Sequence, residues 1–342
     1  MKRYLIGLLA LVVVASGCAG SGPANSGSGG AAFSSMSPQQ KYSHLISSNQ
    51  DATYHVSYNM TFDMNAGDSR MSGLLGMIKA IFENADIDLY SYKGDVKSVV
   101  SVSALGSQSV TATYPIKDSN YSVQCSESAG SSDLSCSFSQ SSGLGSGNSA
   151  MSTTPSQDFS DDLDKINLSY EGKKTVAGRK CASFSVSMPP SLMNSSTVQG
   201  DVTGHLCVDM EKGFMSRMAM NMSMESSTGF GNNTTPANVF IEFKAKDYSE
   251  DVTASDLELP KNMIVDLKCD GGLTGRVYSR DFSGQADLDV NGEQMQKQIS
   301  SGQIQTYNLT QYRTSGANSL NITAGGETYS DSCYHYDFGG LS

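Results

Sequence analysis

The chain has 342 residues, 38% of them hydrophobic and 17% charged, with a formal charge of −11. That length suits one large or two ordinary domains, and an acidic chain without a basic cluster argues against nucleic acid as a partner. After the first segment nothing approaches 18 consecutive apolar residues, so no later segment is expected to span a membrane.

Residues 1–17 combine Lys2 and Arg3, an apolar run from Leu5 to Ala15 and the small residues Ser16-Gly17 ahead of Cys18. This is the build of a secretory signal peptide, and its apolar run is too short for a bilayer of about 30 Å. The stretch Ala15-Ser16-Gly17-Cys18 resembles the lipobox of bacterial and archaeal lipoproteins, with Ala15 where Leu or Val is usual. That resemblance implies a lipidated Cys18 holding the chain to the cell membrane, on its extracytoplasmic side. The alternative is an ordinary secretory signal that happens to end near a cysteine. Loss of Lys2 and Arg3 takes the charge from −11 to −13. Residues 19–37 are Gly, Ser, Ala and Asn with little apolar content, a flexible tether with a reach of about 25 Å.

Ser37-Pro38 opens a short helix with Tyr42, Leu45 and Ile46 as its buried stripe. From Tyr54 the period becomes two, with Tyr58, Met60 and Phe62 on the buried face of a long strand. Residues 69–84 space Leu74, Leu75, Met77, Ile78, Ile81 and Phe82 as an amphipathic helix. Strands are expected near 87–93, 96–104, 107–114 and 120–125, and the Ser/Gly-rich 126–160 reads as loop. Five more strands, near 166–171, 175–188, 201–209, 214–225 and 238–248, have short connections and imply an antiparallel meander. The last of them carries Ile241 and Phe243 on its apolar face. Beyond Leu257-Glu258-Leu259-Pro260 a second unit, 261–342, holds about seven short strands and the hairpin signal Asn291-Gly292, the pattern of a small Ig-like β-sandwich.

Six cysteines remain besides Cys18, an even number that reads as disulfides in an exported chain. Fifteen pairings are open; neighbourhood favours Cys125–Cys136, Cys181–Cys207 and Cys269–Cys333, the second on the outer surface of the meander and the third between the first and last strands of the sandwich. No pair has the CxxC spacing of a zinc ribbon, and no metal or cofactor is expected. Asn-x-Ser/Thr triplets place Asn59, Asn167, Asn221, Asn308 and Asn321 between two apolar residues each. Each of these candidate glycosylation sites should therefore point away from the core.

The strand carrying Met218, Met220, Met222 and Met224 on one face has three readings. It is core filler, the wall of an apolar cavity, or a soft-metal site for Cu(I). Catalytic signals are thin: there is no GxSxG, HExxH or P-loop, and His44, His55, His205 and His335 lie in no nucleophile–base setting. No enzyme is expected.

From about 38 to 260, several landmarks recur in order: a helix Gln40 to Ser48, the strand from Tyr54, Tyr92-Lys93-Gly94-Asp95, Val176-Ala177-Gly178-Arg179-Lys180-Cys181, Leu206-Cys207-Val208-Asp209, and Leu257-Glu258-Leu259-Pro260. This stretch resembles the Lol-type lipoprotein carriers and the related lipid-carrying lipoproteins of mycobacteria. The resemblance implies a curved antiparallel incomplete barrel with a helical lid, mainly β with a few helices, holding acyl chains on its concave face. The paired cysteines, the sequons and the sandwich depart from bacterial carriers and suit an anchored archaeal surface lipoprotein. Two functions follow as expectations. One is a membrane-anchored protein binding a lipid or lipidated protein in the concave cavity. The other is a glycosylated surface scaffold that meets protein partners through 261–342.

Overall fold

In the computed structural model the described residues are 33–49, 51–66, 72–104, 107–116, 119, 121–127, 134–140, 163–190, 198–227 and 234–335. Cys18 lies outside them. Helix α1 (Pro38–Ser47) begins on a reciprocal cap, with the Gln40 N–H donating to Ser37 Oγ and the Ser37 N–H donating to Gln40 Oε1. Strand β1 (Tyr54–Ala66) and helix α2 (Ser72–Glu83) follow. Ten strands come next: β2 (Ala85–Tyr92), β3 (Asp95–Ala104), β4 (Ser107–Pro115), β5 (Tyr121–Glu127), β6 (Leu134–Gln140), β7 (Asn167–Val176), β8 (Arg179–Met188), β9 (Val198–Asp209), β10 (Met215–Ser227) and β11 (Thr234–Ser249).

These strands form one antiparallel sheet in the order β6-β5-β4-β3-β2-β1-β11-β10-β9-β8-β7. It is two meanders joined where β1 pairs with β11, and its two edges, β6 and β7, do not pair with each other. In a flat sheet β7 and β11, four strand spacings apart, would be roughly 19 Å from each other. Residues of the two strands instead approach within 8 Å Cα to Cα, so this half of the sheet is strongly curled.

Two expectations are corrected here. Residues 172–174 are not a break between the strands expected near 166–171 and 175–188: β7 runs through them, with a bulge where the register shifts between Tyr170 and Gly172, whose φ is +112°. The turn is Ala177-Gly178, both left-handed, which matches the right-handed twist of the flanking strands. The 126–160 segment is not all loop, because β6 lies within it. Leu134, Cys136 and Phe138 alternate with serines there, and so few apolar residues leave only a faint strand signal.

The sheet changes its buried side partway across. In β1, β2 and β8–β11 the inner face is apolar, but from β4 to β6 the opposite face takes over, with Ala112, Tyr114, Val123, Cys125 and Phe138 buried. The remaining strands explain the switch. They are β12 (Met263–Lys268), β13 (Thr274–Ser279), β14 (Gly284–Val290), β15 (Glu293–Ile299), β16 (Ile304–Asn308), β17 (Gly316–Ala324) and β18 (Glu327–His335). A three-stranded sheet, β12-β13-β16, and a four-stranded sheet, β15-β14-β17-β18, enclose Val265, Leu267, Val277, Leu288, Val290, Leu320 and Ile322. The other side of the three-stranded sheet puts Ile264, Tyr278 and Ile304 onto the β4–β6 face. Strand β12 is thus covered on both sides, and its buried residues run without alternation from Met263 to Leu267. Cys269–Cys333 ties β18 to the chain just after β12, and nearby the Leu267 N–H donates to Asp331 Oδ2 at 2.6 Å.

Candidate functional site

The inner face of the curled half is laid out in cross-strand rows. Met60, Phe243, Met218, Leu206 and Phe184 lie side by side in one row; Phe62, Ile241, Met220, Gly204 and Val186 form the next. Gly204 has a packing reason, since a Cβ there would sit 2.6 Å from the Met220 Sδ and 2.2 Å from the Ala219 carbonyl oxygen. Tyr58 belongs to the same face and donates its OH to the Met215 carbonyl at 2.8 Å. Tyr58, Met60, Phe62, Met218, Met220, Met222, Ile241 and Phe243 are all 7% exposed or less and belong to one cluster. The described part of this face is therefore packed. The side chains of Leu74, Ile78 and Met224 lie outside the described residues.

Two short helices cover it. From α1, Tyr42 meets Phe184 edge to face at 5.8 Å; from α2, Phe82 lies 5.1 Å from Phe62. Helix α2 also sets Lys79 3.6 Å from Asp63 and 3.7 Å from Glu83, ion pairs on the exposed side that hold a helix only weakly. At the β7 edge, Lys41 of α1 is 7% exposed. Its Nζ donates to the carbonyls of Met36 at 2.5 Å and Ser34 at 3.5 Å, and stands 5.0 Å from the Tyr170 ring and 5.8 Å from the Phe33 ring.

The curl is pinned by Arg179 and Asp209, which lie in two of the landmark stretches, together with Tyr248. Arg179 donates to Asp209 from Nε at 2.7 Å and from Nη2 at 3.1 Å, and its guanidinium lies 4.0 Å over the Tyr248 ring of β11. The backbone N–H groups of Glu211 and Lys212 also donate to Asp209. Hydrogen bonding to this carboxylate raises the Arg179 guanidinium further above its ordinary value, and burial pushes the Tyr248 phenol up. The available signal was an aspartate opening the turn Asp209-Met210-Glu211-Lys212-Gly213, where a carboxylate caps its own turn.

The outer face is polar. His55 Nε2 lies 2.9 Å from Asp88 Oδ1, and the Ser57 hydroxyl donates to the same oxygen. The His55 hydrogen bond holds the Asp88 carboxyl below its usual range. Serine, histidine and aspartate meet here, but the serine proton is committed to the carboxylate rather than to the imidazole, the reverse of an activated nucleophile. Further along, Asn167, Ser187, Thr203 and Asn221 form an outer-face row that lines a groove of about 290 Å³ with Ser169, Ser185 and His205. Asn59, Asn167, Asn221 and Asn308 are exposed and Asn321 is half-buried.

The disulfides join Cys125 to Cys136, Cys181 to Cys207 and Cys269 to Cys333. One detail is corrected: Cys181 and Cys207 point to the outer face but are 0% and 2% exposed. Lys174 and Arg217, paired laterally with them, put long side chains on either side of the bond.

No protein-family model and no curated protein matches the chain. Among solved structures it is similar to the Mycobacterium tuberculosis lipoprotein LppX, at 13% identity over 62% of this chain and 97% of that one, with a TM-score of 0.34. LprF from Mycobacterium bovis matches at 12% identity over 65% and 96%, with a TM-score of 0.33. The Pseudomonas aeruginosa MucA/MucB complex matches at 9% identity over 86% and 92%, with a TM-score of 0.32. Likeness at this level carries no argument about what the chain binds.

Proposed function

We propose that this chain is an extracytoplasmic lipoprotein, anchored through Cys18, that takes a lipid or the acyl chain of a lipidated protein on its concave face. One observation carries the reading. A continuous apolar face spanning Tyr58, Met60, Phe62, Met218, Met220, Ile241 and Phe243 is covered by helices of only 10 and 12 residues, whereas the β4–β6 face is covered by a sheet. The ligand would enter as α2 lifts, with Met218, Met220 and Met222 repacking around it. Unbranched thioethers change shape at low cost. Residues 38–260 would form the binding unit and 261–342 a second unit open to a protein partner.

The test is organic extraction of the purified protein followed by mass spectrometry, beside uptake of a fluorescent fatty acid. Co-purified lipid or saturable uptake is expected. Absence of both sinks the reading. For the anchor, Cys18→Ser should move the protein from the membrane to the soluble fraction; retention in the membrane would rule out lipidation at that residue.

A second reading, a glycosylated surface scaffold without a small ligand, is favoured by the close packing of Met218, Met220 and Met222. It predicts the negative extraction result together with occupied glycans at Asn59, Asn167, Asn221, Asn308 or Asn321.

A further inference from the structure

Lys41 is an ammonium held against the end of an apolar cluster. Burying a cation is costly unless it is paired. Among the described residues, however, Lys41 has no carboxylate partner; two carbonyls and two aromatic rings surround it. An ammonium has three donors, and the two carbonyls occupy two of them. Tyr170 and Phe33 both belong to the cluster of the concave face, and Tyr170 reaches Phe184 at 5.6 Å, so the charge borders the surface proposed to hold acyl chains.

We infer that Lys41 is the headgroup anchor of that site and that the ligand is an anionic amphiphile, its carboxylate or phosphate on Nζ and its tail along the concave face. The inference rests on the ligand reading above. In the closed structure the carbonyls of Ser34 and Met36 occupy the place of the anionic headgroup. They belong to a short segment, Phe33 to Met36, that joins the tether to α1 and shields the ammonium. A charged hydrogen bond to an anion is stronger than one to a neutral carbonyl, so a headgroup can displace them. The tether bears on access as well. Fourteen residues lie between Cys18 and Phe33, so even a fully extended chain keeps the two within about 54 Å. A lipidated Cys18 would therefore hold this rim close to the membrane, where anionic amphiphiles are found.

The experiment uses the full mature chain carrying Cys18→Ser and displacement of N-phenyl-1-naphthylamine, a neutral probe, by palmitate, hexadecyl phosphate and hexadecanol. The three competitors share a chain length and differ in headgroup. The anionic competitors should bind at least about tenfold more tightly than the alcohol, with the stronger of the two identifying the headgroup. Lys41→Gln should reduce that preference to about twofold while leaving hexadecanol unchanged, and Lys41→Arg should retain it. Hexadecanol affinity also reports whether each variant still has a formed site. Equal binding of acid and alcohol by the parent chain, or an undiminished preference in Lys41→Gln, overturns the anchor. If no competitor and no probe binds, the ligand reading fails and the anchor with it.

Discussion

Replacing Asp209 by Ala tests whether the Arg179 cluster pins the curl of the sheet. The Asp209 side chain is 1% exposed and accepts from Arg179 Nε at 2.7 Å, Arg179 Nη2 at 3.1 Å, the Glu211 N–H at 2.9 Å and the Lys212 N–H at 2.7 Å. Removing one partner of a buried pair costs about 3–5 kcal/mol, because the other charge is left buried. Arg179 keeps Glu211 at 2.9 Å and a side chain 17% exposed, which places the loss at the lower end, about 3 kcal/mol. For units of 150–250 residues that corresponds to a drop in Tm of roughly 6–12 °C. Urea and thermal melts of the soluble mature chain would measure it, beside Arg179→Ala and the double variant. The two single losses should be non-additive by at least about 1 kcal/mol, as for residues in contact. A loss under about 1 kcal/mol for Asp209→Ala, or simple additivity, would refute the pin.

Three further outcomes are expected. Gly213→Ala should destabilise the protein by more than about 2 kcal/mol, since left-handed strain alone costs roughly 1–2 kcal/mol. At φ +72° its Cβ would also lie 2.1 Å from the Leu45 carbonyl oxygen at the end of α1. A melt within 0.5 kcal/mol of the parent, as an order-of-magnitude threshold, would contradict the contact. Among the disulfides, the chain-entropy argument gives about 3, 3.5 and 4 kcal/mol for closures of 11, 26 and 64 residues, so removing Cys269–Cys333 should cost most. Paired Cys→Ala variants ranked by urea midpoint would check the order, and a reversed ranking would count against it. Burial raises the Asp266 carboxyl above its ordinary value, so the charged form is disfavoured by folding and stability from this group fades as pH rises through its folded-state value. Asp266→Asn should therefore be at least as stable as the parent at pH 7. The difference should vanish once pH falls below the ordinary carboxylate range. A loss above about 1 kcal/mol at neutral pH would mean that pairing with Arg276, 3.8 Å away, outweighs burial.

Period-two patterning and turn chemistry are local properties, so the sequence alone determined most strands, including the seven from Met263 to His335, and the inward phase of Tyr58, Met60, Phe62, Met218, Met220 and Met222. Capping chemistry likewise announced α1, and an even cysteine count with neighbourhood pairing announced the three bonds. Where local signals competed, the sequence was ambiguous. Residues 172–174 read as a break between strands until the register shows a bulge at Gly172, and β6 hides among serines because its apolar residues are few. Only the tertiary structure decided which elements meet across distance. It decided that the apolar side of the sheet switches at β4, since that depends on what packs there, and that Cys181–Cys207 is covered although it lies on the polar face. Arg179, Asp209 and Tyr248 come from three strands, and Lys41 meets Tyr170 from across the chain; each contact is an accident of sequence distance that only the curl of the sheet brings together.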